Sequence, residues 1–324
     1  LNNFFRIDIS YNLPKFDPFT VWNPNGITFA DNNTIGTFSL SIFIDKNNTV
    51  YVPGQSIDRI QIWANSSSNP TNIIYTNSMH FDSIFVTSNG DIYTGEAIQQ
   101  LRIRQWTLNT NISSIVAYAD GRCYGLFVDL NNTIYFSIRN EHKVMSRPLT
   151  TLSNALTIVA GTGCIGNTLT TLNRPHGIFV DDNFDLYVTD TSNNRIQLFR
   201  SGSRNGTTVA GNGSINVTIS LNIPMGVILD ADKYLFIVDT GNHRIIGSGS
   251  NGFRCIVGCS NSAGSASNQF SNPRTIAFDS FGNLFVVDAD NSRIQKFLFM
   301  PSSCCKQFIN KLRKYLKKKT ILFR

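Results

Sequence analysis

Three features of the 324-residue sequence predict an all-β fold, a six-bladed β-propeller whose ring is closed by an N-terminal strand. One block of sequence returns at intervals of 42 to 52 residues. Each copy breaks into four short apolar runs divided by Asn, Asp and Gly turns, and the last copy lacks a fourth run that the front of the chain supplies. Repeats of this length, each with several short strands, belong to radial arrays in which a unit cannot bury its own faces and needs neighbours.

The clearest copies are "GIFVDDNFDLYVTDTSNNRIQLF" from Gly177, "GVILDADKYLFIVDTGNHRIIGS" from Gly226 and "TIAFDSFGNLFVVDADNSRIQKF" from Thr275. Marking the residue that ends each first apolar run gives Asp45, Thr87, Asp129, Asp181, Asp230 and Asp279, hence six copies. The first runs are continuously apolar, as expected of strands covered on both faces. The turns "KNNT", "LNNT" and "DSFGN" carry residues that tolerate tight hairpins. Fourth runs are "IIY" from Ile73, "SIVAY" from Ser114, "TIVAG" from Thr157, "TTVAG" from Thr207 and "CIVG" from Cys255. The sixth copy ends three strands in, at "RIQKFLF", and "GITFAD" from Gly26 is the spare strand. A strand taken from the other terminus leaves no open sheet edge at the closure. The expected organisation is a lead-in over 1–23, the propeller over 24–300 and a basic tail over 301–324.

Composition agrees with a folded chain: 41% hydrophobic and 15% charged residues are enough for a large core. The net charge of +7 resides in the last 19 residues, which carry eight Lys and Arg and no acid, so residues 1–305 sum to −1. A near-neutral body argues against a nucleic-acid partner. No apolar run approaches the roughly 18 residues that span a bilayer. The start at Leu1 is expected of a fragment or a processed product.

The strings "RPHGIFVD", "IPMGVILD", "YLFIVDTGNHRI" and "LFVVDADNSRI" resemble NHL repeats, strongly in copies four to six and weakly in one to three. The resemblance implies a propeller that serves as a recognition module, as in RING-type ubiquitin ligases, extracellular proteins and RNA-binding regulators, or, in lyases and lactonases, one holding a metal on the axis. No RING-like Cys/His spacing is present, so a ligase role implies a part outside this sequence.

Asp190 and Arg195, Asp239 and Arg244, and Asp288 and Arg293 recur at one offset. A pair present once per blade is expected to be structural, Asp accepting in the second turn and Arg tying strands. Copies one to three lose it, with Gly54 and Arg59, Glu96 and Leu101, and Ile138 and Lys143. The positions that break the repeat are the candidate ligand-binding residues: Leu40, Asp82, Tyr124, His176, Met225 and Arg274 at the channel rim, with Arg122, Arg174 and His80 two residues further out. Loops on a rigid scaffold are where binding residues concentrate.

Catalytic constellations are incomplete. Of four histidines, His80, His142, His176 and His243, only His176 falls on the innermost rim, so no three-His metal site assembles. "GTGCIG" from Gly161 fits a dinucleotide fingerprint literally, but no helix pattern follows it. "DDNFD" at Asp181 lacks the ligand spacing of a calcium loop. No cofactor is expected. Six cysteines leave connectivity open, a bridge from Cys255 to Cys304 or Cys305 being one option. Sequons at Asn32, Asn47, Asn65, Asn111, Asn131, Asn205, Asn212 and Asn216 are close to the number this composition gives by chance, so they only lean towards a glycosylated, extracellular ectodomain, with the cytoplasm left open. In the tail, Phe308, Ile309, Leu312, Tyr315 and Leu316 at helical spacing suggest membrane-surface contact. The expectation is a monomeric, non-catalytic scaffold that binds a protein or peptide by the loop face around its channel. The alternatives are a metal-dependent lyase or lactonase and the recognition module of a ubiquitin ligase.

Overall fold

The computed structural model describes residues 9–17, 19–64, 67–76, 80–97, 101–107, 112–151, 155–214 and 218–301. The basic tail, Cys304, Cys305 and the sequons at Asn65, Asn111 and Asn216 lie outside them. Six four-stranded antiparallel sheets form the blades. Their inner strands are Phe43–Ile44, Phe81–Val86, Leu126–Val128, Pro175–Val180, Pro224–Leu229 and Pro273–Phe278, and each contacts the next around the ring. Blade 6 is completed from the N-terminus: strand Ile27–Ala30 pairs with Arg293–Phe297, Ile27 opposite Lys296 and Ala30 opposite Ile294. A second clasp outside it pairs Val21–Trp22 with Phe299–Met300.

The residues that mark the repeat build its first hairpin. Oδ1 of Asp45, Asp129, Asp181, Asp230 and Asp279 accepts backbone N–H groups two and four residues on, at 2.8 to 3.0 Å. This is the Asx geometry that short carboxylates favour. Each turn ends on a left-handed residue, Asn48, Gly90, Asn132, Phe184, Lys233 or Gly282.

A small residue follows most rim positions for a steric reason. A Cβ on Gly177 would lie 2.5 Å from the Met225 carbonyl oxygen, and one on Gly125 would lie 2.3 Å from that of His176. Inner strands of successive blades therefore touch backbone to backbone, which draws the ring tight around the axis.

The lead-in closes one end of the channel. Phe43, Phe85, Phe127 and Phe179 form an aromatic arc with successive centroids 4.8 to 5.0 Å apart, while copies five and six place Ile228 and Ala277 there. Tyr11 sits on the arc, 5.4 Å from Phe127 and 5.5 Å from Phe179, and the Asn12 amide donates to the Asp45 and Phe278 carbonyls. Phe16 and Trp22 continue the seal into a buried cluster with Phe236, Phe278 and Phe297. Because Asp45 ends its inner strand, this plug lies opposite the rim.

The cysteine expectation needs correction. Cys255 is bonded to Cys259, with Cα atoms 5.8 Å apart. The fourth strand of blade 5 begins at Gly252, so Cys255 stands near its end, beside the connection that carries Cys259. Cys123 is buried and free, and Cys164 is exposed and free.

Candidate functional site

The loop entering each inner strand is held alike in blades 4, 5 and 6. Asp190 Oδ1 accepts from the Asn173 backbone N–H at 2.6 Å, Asp239 Oδ1 from Asn222 at 2.7 Å and Asp288 Oδ1 from Ser271 at 2.7 Å. The second oxygen accepts from Nε of Arg195, Arg244 or Arg293 at 2.7 to 2.8 Å. Each guanidinium then donates to carbonyls of the incoming connection, such as Asn167 and Thr168 for Arg195 and Ser265 and Ala266 for Arg293. The three aspartates are fully buried. The pairs are thus structural, and what they secure is the loop three residues ahead of His176, Met225 and Arg274. Where the pattern decays, Glu96 pairs with Arg104 and Lys143 with Glu141.

Two residues ahead of the rim position the backbone turns left-handed, at Phe38 (φ 57°), His80 (72°), Arg174 (52°), Ile223 (50°) and Asn272 (50°). Such conformations are costly for any residue but Gly or Asn, and they persist only where surroundings impose them. At three of these positions a side chain of the preceding blade does so: His142 Nδ1 accepts from Arg174 N–H at 3.0 Å, Asn194 Oδ1 from Ile223 at 2.8 Å and His243 Nδ1 from Asn272 at 3.2 Å. Nδ1 of His142 and of His243 thus holds the backbone of the next blade's entry loop. The result is an exposed collar that includes Phe38, 55% exposed, and Ile223, 42% exposed.

Inside the collar, Tyr124 lies flat on His176, with centroids 4.0 Å apart and planes 17° apart. The guanidinium carbons of Arg122 and Arg139 stand 5.0 and 5.9 Å from the centre of the Tyr124 ring. Arg122 also grips Asp82 through two hydrogen bonds, at 3.0 and 2.7 Å. Arg274 Nη1 donates to Met225 Sδ at 2.9 Å, and Arg274 Nε is buried with no partner. Below them lies a cavity of about 120 Å³ that ends on Tyr11 and Asn12.

Burial first, and then the cations Arg274 and Arg139, hold the His176 imidazole well below its usual range, so it is neutral at pH 7. Burial raises Asp82, against the lowering effect of Arg122.

Five of the six rim positions named from sequence, Leu40, Tyr124, His176, Met225 and Arg274, line the cavity. Asp82 is set behind them, 1% exposed and occupied by Arg122. Arg174 and His80 are exposed on the collar. Arg139 is the residue that counting rim positions misses. It occupies the repeat position held by Thr191, Thr240 and Ala289, and a charged residue there was the available signal.

These features define a repeat-built β-propeller with a plugged channel and one open, arginine-rich mouth. The NHL repeat model matches residues 172–199 and 270–297, the stretches that contain the latches of blades 4 and 6. The protein is an NHL-repeat β-propeller. No curated protein matches its sequence. Solved structures with a similar fold include an auxiliary nutrient binding protein from Bacteroides thetaiotaomicron, at 15% identity and TM-score 0.64 over 90% of this chain and 76% of that one. A second auxiliary nutrient binding protein, from Bacteroides ovatus, shares 17% identity at TM-score 0.64 over 90% and 76%. Virginiamycin B lyase from Staphylococcus aureus shares 14% identity at TM-score 0.54 over 85% and 98%. At these identities the likeness is one of fold.

Proposed function

We propose that this propeller is a non-catalytic recognition module that binds a protein or peptide segment across the collar and mouth of the channel. The observation that carries the reading is the collar itself: large apolar side chains held exposed on left-handed backbone, around a mouth whose acid and imidazole are already engaged. Backbone strain of this kind clusters at ligand sites, and exposed apolar groups with a polar centre suit a peptide. A cavity of about 120 Å³ is well below the roughly 300 to 1,000 Å³ of small-molecule sites, which favours a ligand that lies over the mouth and inserts one side chain.

The fold's occurrence in a lyase motivates the second reading, a metal-dependent enzyme. The residues present do not fit that role. Among the described residues no three His, Cys, Asp or Glu side chains gather as an ion would need, and His176 is the one histidine at the mouth.

The test is selection of binders from a random peptide library on the purified whole chain, followed by affinity measurements on a Phe38→Ser/Ile223→Ser double variant. At least a ten-fold loss in the double variant is expected. Binders indifferent to both positions, or a stoichiometric divalent metal lost on His176→Ala, would reject the recognition reading.

A further inference from the structure

The mouth carries more positive charge than it neutralises. Arg122 is matched by Asp82. Arg139 and Arg274 have no carboxylate within 4 Å among the described residues. The carboxylate that acts on Arg274 from further off, Asp290, accepts from the Asn272 amide. A guanidinium presents five donors. Arg274 gives one to a thioether, a weak acceptor, while its buried Nε has nothing. Leaving charged donors this poorly met at a partly desolvated site is unfavourable, and a planar oxyanion is the group that answers it.

The geometry points to a peptide carboxylate as the ligand group, taken by Arg139 and Arg274 over the stacked rings of Tyr124 and His176. This inference rests on the recognition reading above and supplies the chemistry of what is recognised. The roughly 120 Å³ below the mouth is small against the roughly 300 to 1,000 Å³ of small-molecule sites. That suits a single Asp or Glu side chain. Neutral His176 adds no charge of its own, and the Tyr124 ring stacked on it gives a carboxylate stem an apolar wall. A free inorganic anion would use the same arginines, but it would gain nothing from the exposed Phe38 and Ile223; a peptide covers them.

The experiment uses the whole chain and two fluorescein-labelled octapeptides that differ only in a central Glu-Glu against Gln-Gln, read by anisotropy at 50 and 300 mM salt. The acidic peptide is expected to bind at least about ten-fold more tightly than its amide twin, and to weaken at the higher salt. Arg139→Gln and Arg274→Gln should each remove most of that preference. Arg139 is half-buried and touches the site through the Tyr124 ring, so its variant provides the reading if loss of the more enclosed Arg274 unfolds the chain; thermal melts identify that case. Equal binding of the two peptides, still sensitive to Phe38→Ser/Ile223→Ser, overturns the anionic ligand and leaves the recognition module standing. Failure of both peptides, while library binders are found that ignore the collar, removes the recognition reading itself. Inorganic phosphate that binds with the same arginine dependence while neither peptide does overturns the peptide source.

Discussion

Removing Asp190 should damage both the blade and the mouth. The carboxylate is fully buried and takes three donors: Asn173 N–H at 2.6 Å, Asn193 Nδ2 at 2.8 Å and Arg195 Nε at 2.7 Å. Arg195 is itself only 5% exposed. Asp190→Ala therefore leaves a buried guanidinium without its counter-charge, a lesion that costs about 3 to 5 kcal/mol. The orphaned Asn173 N–H falls within that figure because the three bonds act as one network. In urea titrations of the whole chain the midpoint should fall accordingly, and Asp190→Ala/Arg195→Met should recover part of the loss, since the pair then goes together. The Arg side-chain exposures rise from 6% in blade 4 to 11% and 14% in blades 5 and 6, so Asp239→Ala and Asp288→Ala should cost progressively less. A loss below about 1 kcal/mol for Asp190→Ala, the size of an ordinary surface change, would refute the assignment of these pairs as latches.

Gly177→Ala should destabilise by about 1 to 3 kcal/mol through overpacking, because the new methyl meets the Met225 carbonyl at 2.5 Å; urea unfolding measures it. Asp230 is held by burial at a pKa of about 6, with Oδ2 lacking a partner. A carboxyl raised in the folded state loses stability as pH rises from about 4 to 6, so Asp230→Asn should match wild type near pH 4 and exceed it by about 1 to 2 kcal/mol at pH 7.5. Titration of the imidazoles by NMR should find His176 still neutral at pH 5.5, and because its folded pKa is lowered, the group costs stability as pH falls below about 6.5. Peptide mapping without reduction should recover Cys255 joined to Cys259. Cys255→Ser should cost about 2 kcal/mol in the chain-entropy view of so short a loop.

The blades were legible because strand pairing leaves a direct trace in sequence. Apolar runs bounded by turn residues set the strands, and the fixed offset of the Asp and Arg partners set their register, as the pairing of Asp190 with Arg195 shows. Ring closure followed from counting strands and is realised between Ile27–Ala30 and Arg293–Phe297. Rim residues could be placed by the same counting, and it failed at Asp82 because depth behind the rim depends on the neighbouring Arg122 and not on position in the repeat. The plug was illegible: Tyr11, Asn12, Phe16 and Trp22 belong to no copy, so the repeat carries no information about them. Left-handed backbone at Phe38 and Ile223 was equally hidden, since these residue types favour extended conformations, and at Ile223 the conformation is imposed by Asn194 of the adjoining blade. The disulfide was misjudged because the fourth strand of blade 5 starts three residues before the apolar run that announces it.

Decay of the latch in the first three copies has a consequence at the mouth. In blades 4 to 6 a buried aspartate at the end of the second strand is followed by Thr191, Thr240 or Ala289; in blade 3 the same two positions are Ile138 and Arg139. Ile138 is buried and contributes no carboxylate, so Lys143 turns to Glu141, and Arg139 makes no ion pair among the described residues. Blade 2 likewise turns Glu96 to Arg104 and leaves its inner-strand acid, Asp82, to Arg122. The regular half of the ring thus holds His176, Met225 and Arg274 rigidly, while the irregular half adds Tyr124, Arg122 and Arg139 around them. Of the two unmatched charges at the mouth, Arg139 stands where the construction pattern has lapsed, while Arg274 stands on a blade that keeps its latch, at a rim position the repeat leaves variable.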